Sequence, residues 1–293
     1  MKYQVRHTTR YKYQESVSHC YNMGYILPRN TGRQTVYDSQ VSISPTASQA
    51  QVQEDLYGNQ AYHFSIETAH DELDVTVVSQ LEVQEAEAIN LQIGTSCEYS
   101  KTLLFKSDQA EILAAREFIL ESPKIKTSQE LMDYAAPSFT GDRTLLAAVM
   151  DLTQRIFNDF TYDPEFSNIS TPLSEVLKHR RGVCQDFAHL GIACLRVLGY
   201  PARYVSGYLE TLPPPGQQKL VGADASHAWF AVYSPGEGWF EFDPTNNQMA
   251  GVQHITTAWG RDYADVPPLK GVVFGGGESS TLHVAVDVMR IPD

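Results

Sequence analysis

The sequence predicts an α+β fold in two regions, a β-rich segment over residues 1–95 and a mixed core over 96–293. Three observations carry this. The first third alternates apolar and polar residues with period two. The middle switches to helical spacing. Beyond residue 200 the period returns to two. A chain of 293 residues is long enough to bury such a core without staples.

The β-rich segment begins with Tyr3, Val5, His7, Thr9, Tyr11 and Tyr13 alternating with Lys2, Gln4, Arg6, Thr8, Arg10 and Lys12, the pattern of a half-buried strand. "LYGNQAYHFSI" reads as a hairpin turning at Gly58-Asn59. Leu73, Val75, Val77, Leu81 and Val83 continue the alternation. An antiparallel β-domain follows, expected to be a sandwich.

In the middle, Ser107 precedes "DQAEILAAREFILES", where Ile112, Ala115, Phe118 and Ile119 share a helical face and Pro123 stops the run. Leu145, Leu146, Val149, Leu152 and Ile156 mark a second helix. "STPLSEVLKHRRG" supplies Thr171 as N-cap, Pro172 in the first turn and Gly182 past the end. A further helix starts near Cys184, buries Phe187, Leu190, Gly191, Cys194 and Leu198, and stops at Gly199. "ARYVSGYLE", "SHAWFAVYS" and "GWFEFDPT" then read as strands, the first two joined by the proline-rich "TLPPPGQQ". "TLHVAVDVMRI" adds a last strand to the core region, after a glycine-rich connector, "FGGGES", that lacks the Lys-Ser/Thr of a phosphate-binding loop.

Charge and cysteine usage narrow the classes. The formal charge of −13 argues against nucleic acid. No apolar run approaches a membrane span, and the opening "MKYQVRHTTRYKYQ" has no export-signal pattern. Cys20, Cys97, Cys184 and Cys194 are sparse and lack metal-like spacing, so they read as reduced thiols of a cytoplasmic protein.

The chemistry is expected at "RRGVCQDFAHL". A cysteine at a helix N-terminus meets unpaired N–H groups and a partial positive charge, which favour a thiolate and can hold an oxyanion. Arg180 and Arg181 would add to that potential if they lie close. Locally, a small buried core thiol is an equal alternative. His227 and Asp243 shift the balance. If Tyr233 pairs with Trp239 across the "SPGEG" hairpin, then Phe230, Val232, Phe240 and Phe242 share one face. His227, Trp229, Glu241 and Asp243 share the other, with His227 diagonal to Asp243 and within side-chain reach. A carboxylate can then fix an imidazole whose second nitrogen faces a thiol, the logic of a Cys-His-Asp triad.

Other polar residues take structural readings. His189 lies about 140° round the helix from Cys184 and points away. Asp186 caps the helix, and Cys194 is core. A zinc site built from Cys184, His189 and His227 matches no usual ligand spacing, so neither metal nor cofactor is expected. Arg261, Asp262 and Tyr263 suggest a salt-linked loop.

"GVCQDFAHL", "LGYPARYVSGYL" and "ASHAWFAVYSPGEGWFEFDPTNN" together resemble the transglutaminase-like superfamily, a papain-type fold, with Cys184, His227 and Asp243 in that family's order. The β-rich N-terminal region and "HITTAWGRDYADVPPLKGVVFGG" resemble its bacterial branch. The resemblance implies a core with an N-terminal catalytic helix packed on an antiparallel sheet. It also implies thiol acyl transfer on peptide or isopeptide amides, as a cysteine protease, amidase or transglutaminase. The implied partners are an amide substrate and, for cross-linking, an amine acceptor. A second oxyanion donor often lies upstream in this family, which makes Tyr162 the candidate; Trp229 is a candidate groove wall, with a core aromatic as the alternative. Two other classes stay open at this point, a non-enzymatic scaffold and a redox-sensing thiol.

Overall fold

A computed structural model describes residues 1–211, 225–277 and 279–292. Five strands open the chain: β1 (Lys2–Gly24), β2 (Gln34–Ser44), β3 (Gln49–Glu54), β4 (Gln60–Ile66) and β5 (His70–Val83). Helices α1 (Cys97–Lys106), α2 (Ala110–Arg116), α3 (Gln129–Ala135) and α4 (Leu145–Asp159) follow. Next come β6 (Thr161–Tyr162), α5 (Leu173–His179), β7 (Arg181–Gly182) and α6 (Cys184–Val197). The chain closes with β8 (Ala202–Leu209), β9 (Ala225–Ser234), β10 (Gly238–Asp243), β11 (Gln248–Met249), β12 (His254–Gly260), β13 (Lys270–Gly275) and β14 (Ser280–Arg290).

The alternation of β1 is realised residue by residue. Tyr3, Val5, His7, Thr9 and Tyr13 are buried. The strand is the spine of a single hydrogen-bonded sheet. Its first half pairs with β5 and β14, and its second half with β4 and β13. Register breaks between Lys12 and Val17, which bends the strand from one leaf into the other. The expected sandwich is therefore one sheet whose central strand runs through both leaves, closed over Val17, Phe64, Ile66, Leu73, Val75 and Val77.

The last strand lies elsewhere than the sequence placed it. β14 pairs with β1 from Tyr3↔Arg290 to Tyr13↔Ser280 and belongs to the first sheet. Val286 and Val288 are buried there in one cluster with Tyr3, Val5, Tyr208 and Ile255. β1 supplies the hydrogen-bonded edge, and Tyr208 of β8 and Ile255 of β12 supply the layer that its inward apolar face needs.

The second sheet runs β11-β10-β9-β8-β12, antiparallel throughout. α6 lies on one face, and Gly191 is required where it does. A Cβ there would stand 2.5 Å from the Phe230 ring. On the outer edge, side-chain amides from the first region bond the β12 backbone. Gln34 donates to the Thr256 carbonyl at 2.8 Å and accepts its N–H at 2.9 Å, and Asn59 treats Trp259 likewise at 2.8 and 3.0 Å. The exposed ladder of an edge strand is thereby closed by side chains.

The helix expected after Ser107 is short, α2 followed by a 3₁₀ turn over Glu117–Ile119. α1 and β12 were not anticipated, and α5 is capped by Pro172 in place of Thr171. The "TLPPPGQQ" connection lies, beyond Thr211, outside the described residues. No helix among the described residues is long and apolar enough to cross a membrane.

Candidate active site

The thiol is positioned by a short ladder and a helix start. α5 is closed by its C-cap Arg180, whose φ of 55° turns the chain. β7 then pairs in parallel with β6, Tyr162 opposite Gly182. Val183 is the N-cap and Cys184 the first helical residue, partly exposed. Asp186 completes the start, its Oδ2 accepting the Val183 N–H at 2.8 Å and the Ser167 hydroxyl at 2.5 Å. Burial raises its pKa against these two bonds. The helix's first N–H groups, Cys184's among them, have no intrahelical partner.

His227 and Asp243 come from adjacent antiparallel strands, in the register inferred from sequence, Tyr233 opposite Trp239 and Phe230 opposite Phe242. Asp243 is fully buried and His227 only 8% exposed. His227 Nε2 stands 2.8 Å from Asp243 Oδ2. Since a carboxylate can only accept, Nε2 carries the proton and Nδ1 is left to face the thiol. Burial lowers the His227 pKa, but the hydrogen bonds to Asp243 and Cys184 and their charges outweigh it and carry the group up to about 10. Burial likewise opposes ionisation of Asp243, and the two imidazoles it bonds overcome this to hold it well below the usual carboxylate range.

The second imidazole, His254, has no role assigned by the sequence. Its Nε2 lies 3.0 Å from the same Asp243 Oδ2. Its Nδ1 accepts the Gly251 N–H at 3.2 Å, which puts the ring proton on Nε2. Asn246 adds a side-chain donor to Oδ2 at 2.7 Å, and the backbone N–H groups of Thr245 and Asn246 reach Oδ1 at 2.9 and 3.2 Å. The one local signal was the position of His254, at the first residue of an unrecognised strand.

His227, Asp243 and His254 bring one potential metal-ligating atom each within 4.8 Å of one another. The donor set does not fit a metal. The His254 nitrogen that faces the carboxylate must carry a hydrogen, because its Nδ1 lone pair is taken by a backbone donor.

The remaining candidates are placed as follows. Tyr162 is about half exposed, its ring centroid 6.4 Å from that of Phe187, and after burial the charge of Cys184 is what raises its pKa. Trp229 is fully buried. Its Nε1 donates to Glu241 at 2.8 Å and its ring stands edge-on to His254 at 5.1 Å. It packs behind the two histidines and lines no open groove. Arg180 stacks over Tyr134 and Phe160, and Arg181 turns to Asp163, so each guanidinium has a partner of its own. His189 is buried, accepts the Tyr263 N–H at 3.2 Å, and is held down to about 4 chiefly by burial. Cys194 is fully buried. Arg261 pairs with Asp265, and Asp262 accepts the Lys124 N–H at 2.7 Å.

The arrangement offers a thiol, a protonated imidazole and a buried carboxylate in sequence, beside unpaired N–H groups. That set can form and resolve an acyl-thioester.

Comparison with known proteins bears on the family and the fold. A family model described as the transglutaminase-like superfamily matches residues 133–244. Another, the bacterial transglutaminase-like N-terminal region, matches residues 3–82. An uncharacterised protein of Mycobacterium tuberculosis is 38% identical over 98% of this chain and 92% of its own. A protein-glutamine gamma-glutamyltransferase of Pseudomonas aeruginosa is 24% identical over 64% of this chain and 28% of its own. The crystal structure of a candidate cysteine protease from Cytophaga hutchinsonii superposes with a TM-score of 0.75 at 24% identity, covering all of this chain and 92% of that one, and shows the shared fold.

Proposed function

The chain belongs to the transglutaminase-like superfamily, and from that premise we propose that it is a thiol enzyme acting on peptide or isopeptide amides. Cys184 is the nucleophile, His227 the proton carrier and Asp243 the group that orients His227. One observation carries the reading: the His227 ring is bonded to a buried carboxylate while Cys184 is its other hydrogen-bonding partner.

The Cys184 sulfur attacks the carboxamide carbon, and the carbonyl electron pair moves onto oxygen. That oxyanion is received by the Cys184 N–H, with Tyr162 as the second candidate donor. Collapse of the intermediate breaks the C–N bond, and the leaving nitrogen takes the Nδ1 proton of His227. The thioester is resolved by water, giving hydrolysis, or by a primary amine, giving cross-linking. His227 accepts the proton of whichever nucleophile attacks. The Pseudomonas relative is the reason to set amines beside water. Four unpaired cysteines suit a reducing compartment, and we place the activity in the cytoplasm.

The test is incubation with a peptide library, with and without primary amines, read by mass spectrometry. Cleavage adds the mass of water, and coupling adds the amine with loss of the amine that the amide held, which is ammonia for a side-chain carboxamide. No mass change with either, from protein whose thiol is titratable, would overturn the reading.

A further inference from the structure

The face of the second sheet turned away from α6 carries a cavity of about 350 Å³. On its wall Arg203 is 8% exposed. Its guanidinium lies 4.3 Å from the centroid of Trp239 and 3.8 Å from that of Trp259. Arg29 covers the far side of Trp259 at 3.3 Å. Stacking satisfies the faces of a guanidinium but leaves its five N–H donors in the plane, pointing out between the rings. None of those of Arg203 is hydrogen-bonded to a described residue, and Nε is wholly buried without a partner.

A second arginine on the same wall is also incompletely used. Arg33 Nη2 donates to the Ala250 carbonyl at 3.2 Å, while its Nη1 is buried and unpartnered. Among the described lining residues, Glu241 is the one carboxylate, and its Oε2 is held by Trp229. It favours the charge of Arg203 through space without bonding it. Burial dominates, taking Arg203 down to about 9. The rest of the lining is largely apolar and includes Met249, Ile89 and Val83.

We infer that this cavity is a binding site for a monocarboxylate with an apolar or aromatic body. A planar carboxylate can lie coplanar with the stacked guanidinium and accept two of its hydrogens, with Arg33 Nη1 supplying a third. The body then rests against the indoles and Met249. A phosphate can also engage the fork, but it brings no apolar body for that lining and a heavier desolvation cost. In a chain of net charge −13, the attraction is local. His254 also lines the cavity, so the site abuts the carboxylate of the proposed triad from behind; its test reads binding alone and does not depend on acyl transfer.

The full chain is titrated with phenylacetate, phenylacetamide and inorganic phosphate, followed by calorimetry and by quenching of indole fluorescence. Phenylacetate is expected to bind saturably. The uncharged amide and phosphate should each bind at least about tenfold more weakly, the scale of a charge-assisted pair. Arg33→Gln should weaken phenylacetate about tenfold. Arg203→Lys, which keeps the charge but loses the planar fork, should do the same even if Arg203→Met fails to fold. Paired dipeptides ending in phenylalanine, one with a free and one with an amidated C-terminus, identify the source. Preference for the free-ended dipeptide over phenylacetate assigns peptide termini, and the reverse assigns small acids. Equal binding of acid and amide, tighter binding of phosphate, or indifference to both arginine variants would overturn the inference.

Discussion

His254 shares the carboxylate of Asp243 with His227, through the same oxygen and at nearly the same distance, 3.0 against 2.8 Å. Asp243 is therefore fixed from behind before it can fix anything in front.

On this basis His254 is a positioning residue. His254→Ala should lower kcat about tenfold to a hundredfold, as loss of a supporting partner does elsewhere. His254→Gln, whose amide nitrogen can replace the Nε2 donor, should recover most of it. A purely structural role would move stability alone, so the readout is the pH profile together with the His227 ring signal by NMR.

Cys184→Ala should abolish turnover, by about 10⁴-fold or more, while stability changes by less than about 1 kcal/mol, since a partly exposed helix-end side chain is removed. Turnover and a urea melt on the same preparation check both halves.

The charge on His227 gives a pH prediction. Its pKa is raised above the ordinary 6.5 to about 10, so its contribution to stability is complete below about 6.5 and is lost as pH rises toward 10. Asp243→Asn removes the carboxylate's charge and its charge-assisted hydrogen bond, leaving Cys184 alone to oppose burial. The ring titration followed by ¹⁵N NMR should move from near 10 toward the ordinary value, and the basic limb of activity should move with it. An unmoved midpoint would show that Asp243 does not set the charge.

Gly207 sits opposite His227 in the β8–β9 ladder. A Cβ there would stand 2.0 Å from the Ile255 carbonyl oxygen and 2.6 Å from the Trp229 ring. Backbone cannot yield cheaply, so Gly207→Ala should cost about 3 kcal/mol or more, measured by chemical denaturation.

Much of this was legible in the sequence wherever period and register decide the outcome. The alternation over Tyr3 to Tyr13 fixed which face of β1 is inside, and the apolar set Phe230, Val232, Phe240 and Phe242 supported the hairpin register that the structure has. That register alone brought His227 beside Asp243. What escaped depended on contacts between distant segments. β12 was hidden because its edge is closed by the amides of Gln34 and Asn59 and not by another strand. Without that strand, His254 could not be seen arriving behind Asp243. The reading of β14 as part of the core was likewise local. A lone apolar strand does not say which sheet it will join, and its buried valines chose β1.

That choice bears on how the thiol-bearing segment is held. Everything from α1 to β12 is spliced between strands of one sheet, anchored by β5 on the way in and by β13 and β14 on the way out, with the Ile291 N–H bonded to the Lys2 carbonyl at 3.0 Å. A protease that nicks the stretch between β5 and α1 leaves the two halves still laced together along β1. Such a cut would yield a clipped but assembled molecule, in contrast to a chain whose two regions were strung end to end.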